Sequence, residues 1–157
     1  MRRLPSLIAL FLAAPLWAES RASPGTEPPA AVIAAVADGL RAGASDPRLA
    51  RRLLRPLRPG SDAWLADFEK AGTANWCGSG GCRMMLFKAR NGGYRAVFDR
   101  QVRRLEISPD GAQLTVQLYG AYCGKPGNAS CPARYRWHAD RMAWQPEKNA
   151  PGPFEYE

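Results

Sequence analysis

The stretch that decides the fold is CGSGGCRMMLFKARNGGYRAVFD, residues 77–99. A glycine-rich segment closed by two cysteines leads into RMMLFK (83–88), which is apolar on both faces and therefore typical of a central strand. NGG at 91–93 is a hairpin-turn signal, and 94–99 alternates like a second strand. Three residues of that strand are predicted to share one face: Tyr94, Ala96 and Phe98. This region therefore predicts an antiparallel hairpin.

Further strands are predicted towards the C-terminus. Residues 102–107 form a third candidate strand, followed by SPDG (108–111), whose residue types favour a turn. Residues 114–119 alternate again, and a glycine-rich loop with two cysteines fills 120–132. Tyr135 and Trp137 then alternate with polar residues, and a turn leads into Met142 and Trp144. The pattern predicts a five- to six-stranded antiparallel meander.

Three short helices are predicted before residue 77. The first spans 30–40, where apolar residues recur at helical spacing. The second begins at Asp46-Pro47, carries leucines on one face and arginines on the other (Arg48, Arg51, Arg52 and Arg55), and ends at Pro56 and Pro59. The third runs from Ser61 to Gly72. Helices followed by antiparallel strands predict an α+β fold with the helices packed on one face of the sheet.

The N-terminus has the pattern of a secretory signal peptide. Arg2 and Arg3 precede an apolar run from Leu4 to Leu16, and Ala18 provides a small residue for cleavage. Since the run is shorter than the roughly 20 residues of a membrane span, no transmembrane span is expected in the mature chain. An uncleaved anchor is the alternative.

The predicted organisation is a signal peptide (1–18), a flexible linker (19–29), one domain (30–146) and an irregular tail (147–157). A chain of 157 residues, 46% hydrophobic, is long enough for one such domain and too short for two. Cleavage would remove Arg2 and Arg3 and lower the formal charge from +8 to +6.

The four cysteines, an even number after a signal peptide, predict disulfides in the periplasm or outside the cell. Their spacing favours the local pairs Cys77–Cys82 and Cys123–Cys131, and a cross-pairing such as Cys82–Cys123 remains open. A four-cysteine zinc site is disfavoured because its ligand spacing is narrower. No metal site and no cofactor are expected.

Few residues offer catalytic chemistry. His138 is the only histidine, and the neighbouring Arg134 and Arg136 would disfavour its charged form. The glycine-rich segment at 77–82 lacks the GxxxxGK[ST] pattern of a phosphate loop, and Ser79 lacks the GxSxG spacing of a hydrolase nucleophile. These absences predict a non-enzymatic protein.

The excess of basic residues predicts an anionic partner. No nucleic-acid module is recognisable, and export also argues against nucleic acid. Candidate contact residues lie on the glycine-rich loops and on the basic face of the predicted strand near residue 135. They are Ser79, Gly80, Lys125, Arg134, Arg136 and His138.

The segment WCGSGGCRMMLFK followed by YRAVF resembles a pattern in exported, mostly uncharacterised proteobacterial proteins, in which a C-G-[ST]-[AG]-G-C turn leads into an apolar strand and a hairpin. The resemblance covers about a fifth of the chain. It implies a periplasmic, disulfide-bonded protein and assigns no catalytic residue. Periplasmic lysozyme inhibitors are similar in type, but the S-G-x-x-Y loop that some of them carry is missing here, because Ser79-Gly80 is followed by Gly81-Cys82-Arg83.

The sequence therefore favours a periplasmic or secreted domain that binds an anionic envelope component or an envelope protein. An inhibitor or regulator of a cell-wall hydrolase such as lysozyme is the first alternative. An enzyme using His138 is the second.

Overall fold

A computed structural model describes residues 27–58, 60–72, 75–126, 129–138 and 143–147. The predicted signal peptide, most of the predicted linker and all of the predicted tail beyond Glu147 lie outside these ranges. Among the described residues, no helix combines the length and the apolar composition needed to cross a membrane.

The described elements are two α-helices, nine strands and three 3₁₀ turns. In chain order they are α1 (Ala30–Ala42), a 3₁₀ turn (Pro47–Leu49), α2 (Ala50–Leu53), β1 (Leu54–Pro56), β2 (Ala63–Asp67), a 3₁₀ turn (Phe68–Ala71), β3 (Cys77–Gly78), β4 (Gly81–Arg90), β5 (Gly93–Val102), β6 (Arg104–Ile107), β7 (Gln113–Tyr119), a 3₁₀ turn (Gly120–Cys123), β8 (Ser130–His138) and β9 (Ala143–Pro146).

The strands form two antiparallel sheets. In the first sheet the order is β1-β2-β4-β3, with β5 paired to β4; in the second sheet it is β6-β7-β8-β9. The chain passes from the first sheet to the second at Arg103, between β5 and β6. The backbone amide of Arg103 donates to the carbonyl oxygen of Gln117 (2.8 Å), so the crossing point is bonded to β7.

The first sheet is covered on both faces. On one face, α1 and α2 pack Val36, Leu40 and Leu53 against side chains such as Trp64 and Phe87. On the other face, a second core joins the two sheets; it includes Leu65, Leu86, Phe98, Leu114, Val116, Leu118 and Tyr135. Helices, first sheet and second sheet therefore form three layers.

An ion pair ties β4 to β5 on the helix side of the first sheet. Arg83 donates from Nε and from its terminal nitrogen to the two carboxylate oxygens of Asp99, at 2.7 and 2.5 Å. The Arg83 guanidinium also lies 5.2 Å from the ring centre of Phe68. Because Asp99 is buried, this bidentate pairing satisfies a carboxylate that would otherwise be costly to bury.

The predicted α+β, disulfide-stapled antiparallel fold is confirmed. The disulfides are the local pairs Cys77–Cys82 and Cys123–Cys131. The structure adds that the strands are divided between two sheets, of five and four strands. The helical first segment and the hairpin turn at Asn91-Gly92 are also confirmed, and both of these turn residues have positive φ.

The prediction of a helix running from Asp46-Pro47 to Pro56 was wrong. Its helical part ends at Leu53, and Leu54–Pro56 is strand β1. A residue before proline is disfavoured in helical conformation, so Arg55 is extended and belongs to the strand rather than to an arginine face of a helix.

The third predicted helix, from Ser61 to Gly72, was also wrong. Ala63–Asp67 is strand β2, and only a 3₁₀ turn follows at Phe68–Ala71. The first four residues of β2 are buried because the strand lies between the two cores, so its sequence shows no alternation. The predicted end at Gly72 is confirmed for the 3₁₀ turn, and Gly72 has the left-handed conformation.

The predicted shared face of Tyr94, Ala96 and Phe98 is not observed. A β-bulge shifts the β4–β5 register, so that Leu86 pairs with Phe98 and Phe87 with Ala96. The extra residue reverses the alternation, and Tyr94 packs on the helix side while Phe98 packs between the sheets.

Candidate functional site

The first disulfide loop packs against the end of β5. Cys77 and Cys82 pair directly across β3 and β4, which leaves Ser79 and Gly80 at the tip. Gly81 has φ +98°, and a Cβ at this position would lie 2.1 Å from the backbone oxygen of Val102. Glycine is therefore required where the loop meets the neighbouring strand.

Arg103 anchors the tip of this loop. Its guanidinium donates from Nε and from a terminal nitrogen to the carbonyl oxygen of Ser79, at 3.0 and 2.8 Å. The same guanidinium lies 5.8 Å from the ring centre of Tyr119, at the end of β7. Arg103 therefore links the first disulfide loop to the start of the second.

The second disulfide loop presents an aromatic side chain. It begins with the 3₁₀ turn Gly120–Cys123 and is closed by the Cys123–Cys131 disulfide. Tyr122 lies in the turn, is 51% exposed, and is the one large hydrophobic side chain in the described ranges that is this exposed. Arg100 lies 5.3 Å from the ring centre of Tyr122, within cation–π range.

We call the surface formed by these two loops and the end of β5 the disulfide-loop end. Its residues are Ser79, Gly80, Arg100, Arg103, Tyr119, Tyr122 and Lys125. The first loop approaches the end of β7, directly before the second loop, since a Cβ on Gly80 would lie 3.6 Å from the Cβ of Tyr119.

Acidic residues are scarce in this half of the chain. From Lys70 to Ala139 the sequence contains three of them, Asp99, Glu106 and Asp110. Asp99 is held by Arg83, Glu106 pairs with the neighbouring Arg104 at 2.6 Å, and Asp110 lies in the 108–111 turn. Neither disulfide loop contains an acid, so the disulfide-loop end carries a positive potential.

The structure brings together three of the six predicted contact residues. Ser79, Gly80 and Lys125 all lie in the two disulfide loops, and Lys125 is exposed. Gly80 is buried, however, and a Cβ added there would lie 3.1 Å from the Gln101 side chain and 3.6 Å from that of Tyr119. It shapes the loop and is not available for direct contact.

The other three predicted residues lie elsewhere. Arg134, Arg136 and His138 alternate along the outer face of β8, leading away from the disulfide-loop end. His138 lies eight residues beyond Ser130, about 27 Å at the rise of an extended strand. Arg136 forms an ion pair with Glu147 (3.2 Å). The carboxylate offsets the positive potential that Arg136 would present to an external partner.

Sequence reasoning missed four residues of this surface. They are Arg100, Arg103, Tyr119 and Tyr122. The dense run of basic residues at 100–104 and the two tyrosines on either side of Gly120-Ala121 were visible signals. Their pairing was not visible, because it depends on how the chain crosses between sheets at Arg103.

The disulfide-loop end offers cationic and aromatic side chains that can contact a partner. The His138 ring makes no hydrogen bond or ion pair with any residue in the described ranges. Within those ranges, no three His, Cys, Asp or Glu side chains are grouped so that they could hold a metal ion. Burial raises the pKa of the Tyr135 hydroxyl above its ordinary 10.0, while the nearby Arg100 acts in the opposite direction.

The chain was compared with protein-family models, with curated proteins and with solved structures. No family model matches it, and no significant match was found among the curated proteins or the solved structures.

Proposed function

We propose that this protein is a non-catalytic periplasmic or secreted domain that binds an anionic component of the cell envelope through its disulfide-loop end. The observation that carries the proposal is the exposed Tyr122 with Arg100 on its ring, next to Arg103 and Lys125, on two loops that contain no acidic residue.

The charges of this surface suit a phosphate- or carboxylate-bearing partner. Guanidinium and ammonium groups attract such anions, and a basic side chain near an anionic membrane contributes about 1 kcal/mol to binding. The Tyr122 ring adds apolar contact area and a phenolic hydroxyl on the same surface.

The loops are also ordered before a partner arrives. Each is closed by a disulfide, and the first is further held by the two hydrogen bonds from Arg103 to the Ser79 carbonyl. Binding therefore requires little loop ordering, which lowers its entropic cost. Disulfides and the predicted signal peptide both support an oxidising, extracytoplasmic location.

An inhibitor of a cell-wall hydrolase such as lysozyme is the second candidate. The feature that favours it is Tyr122, an aromatic side chain with 51% of its surface exposed, which lies directly before the disulfide-bonded Cys123 and could serve as an aromatic anchor. Catalysis through His138 has less support, because no acid or hydroxyl in the described ranges bonds its ring.

The test is binding of the oxidised chain, starting at Glu19, to phosphatidylcholine vesicles with and without phosphatidylglycerol, and to purified peptidoglycan. The first variant combines Arg100→Gln, Arg103→Gln and Lys125→Gln. The matched control combines Arg52→Gln, Arg55→Gln and Arg90→Gln, three exposed arginines outside the disulfide-loop end that lower the net charge equally.

We expect the first variant to lose about a hundredfold in affinity for the anionic probe, and the control to lose much less. Equal losses would show that net charge alone drives binding and would overturn the assignment of the surface. If neither vesicles nor peptidoglycan bind but lysozyme is inhibited, and Tyr122→Ser abolishes the inhibition, the second candidate replaces the first.

A further inference from the structure

A small cleft opens between the two sheets at the end of the molecule opposite the disulfide-loop end. It lies where β2 begins, near the end of β4, beside the 108–111 turn and the end of β8. Its volume is about 150 Å³. Six apolar residues line it, Leu57, Ala63, Leu86, Phe87, Val97 and Trp137, although the side chain of Phe87 packs in the helix-side core.

Two residues of opposite charge, Lys88 and Asp62, line this cleft and do not form an ion pair with each other. The Lys88 ammonium lies on the Trp137 ring, 4.4 Å from its centre, rather than on the carboxylate of Asp62. The two residues are neighbours across the β2–β4 edge, where the Ala89 amide donates to the Asp62 carbonyl oxygen at 3.2 Å. Within the described ranges, neither Lys88 nor Asp62 forms an ion pair.

The other charged residues of the cleft are already engaged. Asp110 accepts hydrogen bonds from the Ser108 hydroxyl and the Ala112 amide, and Arg58 donates to the carbonyl oxygen of Pro109 at 2.5 Å. These contacts fix the 108–111 turn as one wall of the cleft. We therefore assign the ligand contacts to Lys88 and Asp62, whose side chains form no ion pair within the described ranges.

We propose that this cleft binds a free apolar α-amino acid of about leucine's size. The α-carboxylate would lie at Lys88 and the α-ammonium at Asp62, while the side chain would enter the apolar floor between Leu86, Val97 and Trp137. A zwitterion matches a cation and an anion that share one cleft without pairing.

The volume of the cleft limits the size of the ligand. Drug-sized ligands and cofactors occupy pockets of about 300–1,000 Å³, whereas an apolar cavity of about 150 Å³ holds a molecule the size of benzene. A nucleotide or an oligosaccharide is therefore too large, and a leucine side chain fits.

The experiment is isothermal titration calorimetry of the oxidised chain with L-leucine, glycine, 4-methylpentanoate and isopentylamine. The last two compounds keep the side chain but lack the ammonium and the carboxylate, respectively. We expect leucine to bind, and each of the other three to bind at least about tenfold more weakly, since each loses one charged contact or the apolar burial.

Variants locate the site. Lys88→Met keeps the packing on Trp137, because a thioether contacts aromatic rings favourably, and it should weaken leucine binding about tenfold without changing isopentylamine binding. Asp62→Asn should also weaken leucine binding about tenfold, without changing the binding of 4-methylpentanoate. Lys70→Met and Glu69→Gln, exposed on the 3₁₀ turn after β2, serve as matched controls and should bind like the unmodified chain.

Absence of leucine binding at millimolar concentration would overturn the proposal, as would leucine binding that both cleft variants retain. Equal affinity for leucine and 4-methylpentanoate would also contradict it, because the Asp62 contact would then contribute nothing. None of these outcomes bears on the disulfide-loop end, since its residues do not line the cleft.

Discussion

The two ends of the sandwich differ in what holds them together and in how their charges are arranged. The disulfide-loop end is fixed by two covalent links and by the Arg103–Ser79 hydrogen bonds, and its loops contain no acid. The cleft end is fixed by the hydrogen-bonded 108–111 turn, and both signs of charge line it.

This difference suits the two ends to two kinds of ligand. A surface with one sign of charge attracts an extended anion and depends strongly on salt, whereas a small cleft with both signs selects a small ligand by shape and by paired contacts. A single basic domain can therefore present two sites of different chemistry. The contrast also predicts that the two ends will respond differently to the same perturbations.

The largest effect on stability is expected when the second disulfide is removed by Cys123→Ser and Cys131→Ser. Opening a loop this short costs about 2–3 kcal/mol of unfolding free energy on the chain-entropy account. Urea unfolding measures the loss. Hydrogen exchange should show faster opening at the Gly120–Cys123 turn, with the amides of the 108–111 turn protected as before.

Equal loss of protection at both ends would contradict the view that the disulfide acts locally. The Cys77→Ser, Cys82→Ser pair provides the comparison. It should cost a similar amount and release mainly the tip at Ser79 and Gly80.

The next effect is expected from Gly120→Ala, at the start of the second disulfide loop. A Cβ there would lie 2.2 Å from the backbone oxygen of Pro126, so the loop must shift, at a cost of about 2 kcal/mol. Affinity for the anionic probe should fall as well, because Tyr122 and Lys125 lie in the displaced segment.

Gly124→Ala is the matched control for this substitution. Gly124 has φ +66°, and a Cβ added there would meet no atom within 4 Å, so only backbone strain of about 1 kcal/mol is expected. Binding should be largely retained. A control that impaired binding more than Gly120→Ala would contradict the importance of the close contact with Pro126.

A smaller effect concerns Tyr135, which lies between the sheets. Because burial raises its pKa in the folded state, its contribution to stability is present below pH 10 and is lost as the pH rises through the higher folded value. Tyr135→Phe should therefore make the unfolding midpoint less sensitive to alkaline pH. An unchanged alkaline slope would show that other groups control it.

The smallest effect concerns Asp110 in the turn at the cleft end. The hydrogen bond from the Ser108 hydroxyl, followed by that from the Ala112 amide, lowers the pKa of this carboxyl below 3.8. Its stabilising contribution is present above the ordinary pKa and is lost as the pH falls through the folded value. Asp110→Asn should flatten the acid branch of the pH–stability curve, measured with urea at several pH values.

Many strands of the two sheets could be predicted from the sequence. The strands around Met85 and Val116 and the turn at Asn91-Gly92 follow from residue types that act locally, and the cysteine pairs follow from short spacing. The helices predicted after residue 46 failed for a physical reason. Leu54–Pro56 and Ala63–Asp67 are short apolar segments, and such segments fit a helix face as well as a strand buried on both sides.

The proposed binding surface could be predicted only in part from the sequence. Ser79 and Lys125 were identified because glycine-rich loops between cysteines project from a sheet. Tyr122 and Arg100 were missed because their contact joins a 3₁₀ turn to a strand of the other sheet, and no local pattern encodes it. The bulge that separates Tyr94 from Phe98 is likewise a product of strand pairing rather than of local sequence.

The most direct test of the central claim is to map the binding of an anionic probe by NMR. The oxidised chain from Glu19 onward would be labelled with nitrogen-15 and titrated with micelles of short-chain phosphatidylglycerol at low and high salt. The account predicts that the amides of Ser79, Arg103 and Tyr122 and their neighbours shift first, and that salt reverses the shifts. Shifts that begin instead at Arg134, Arg136 and His138, or that follow exposed arginines over the whole surface, would contradict it.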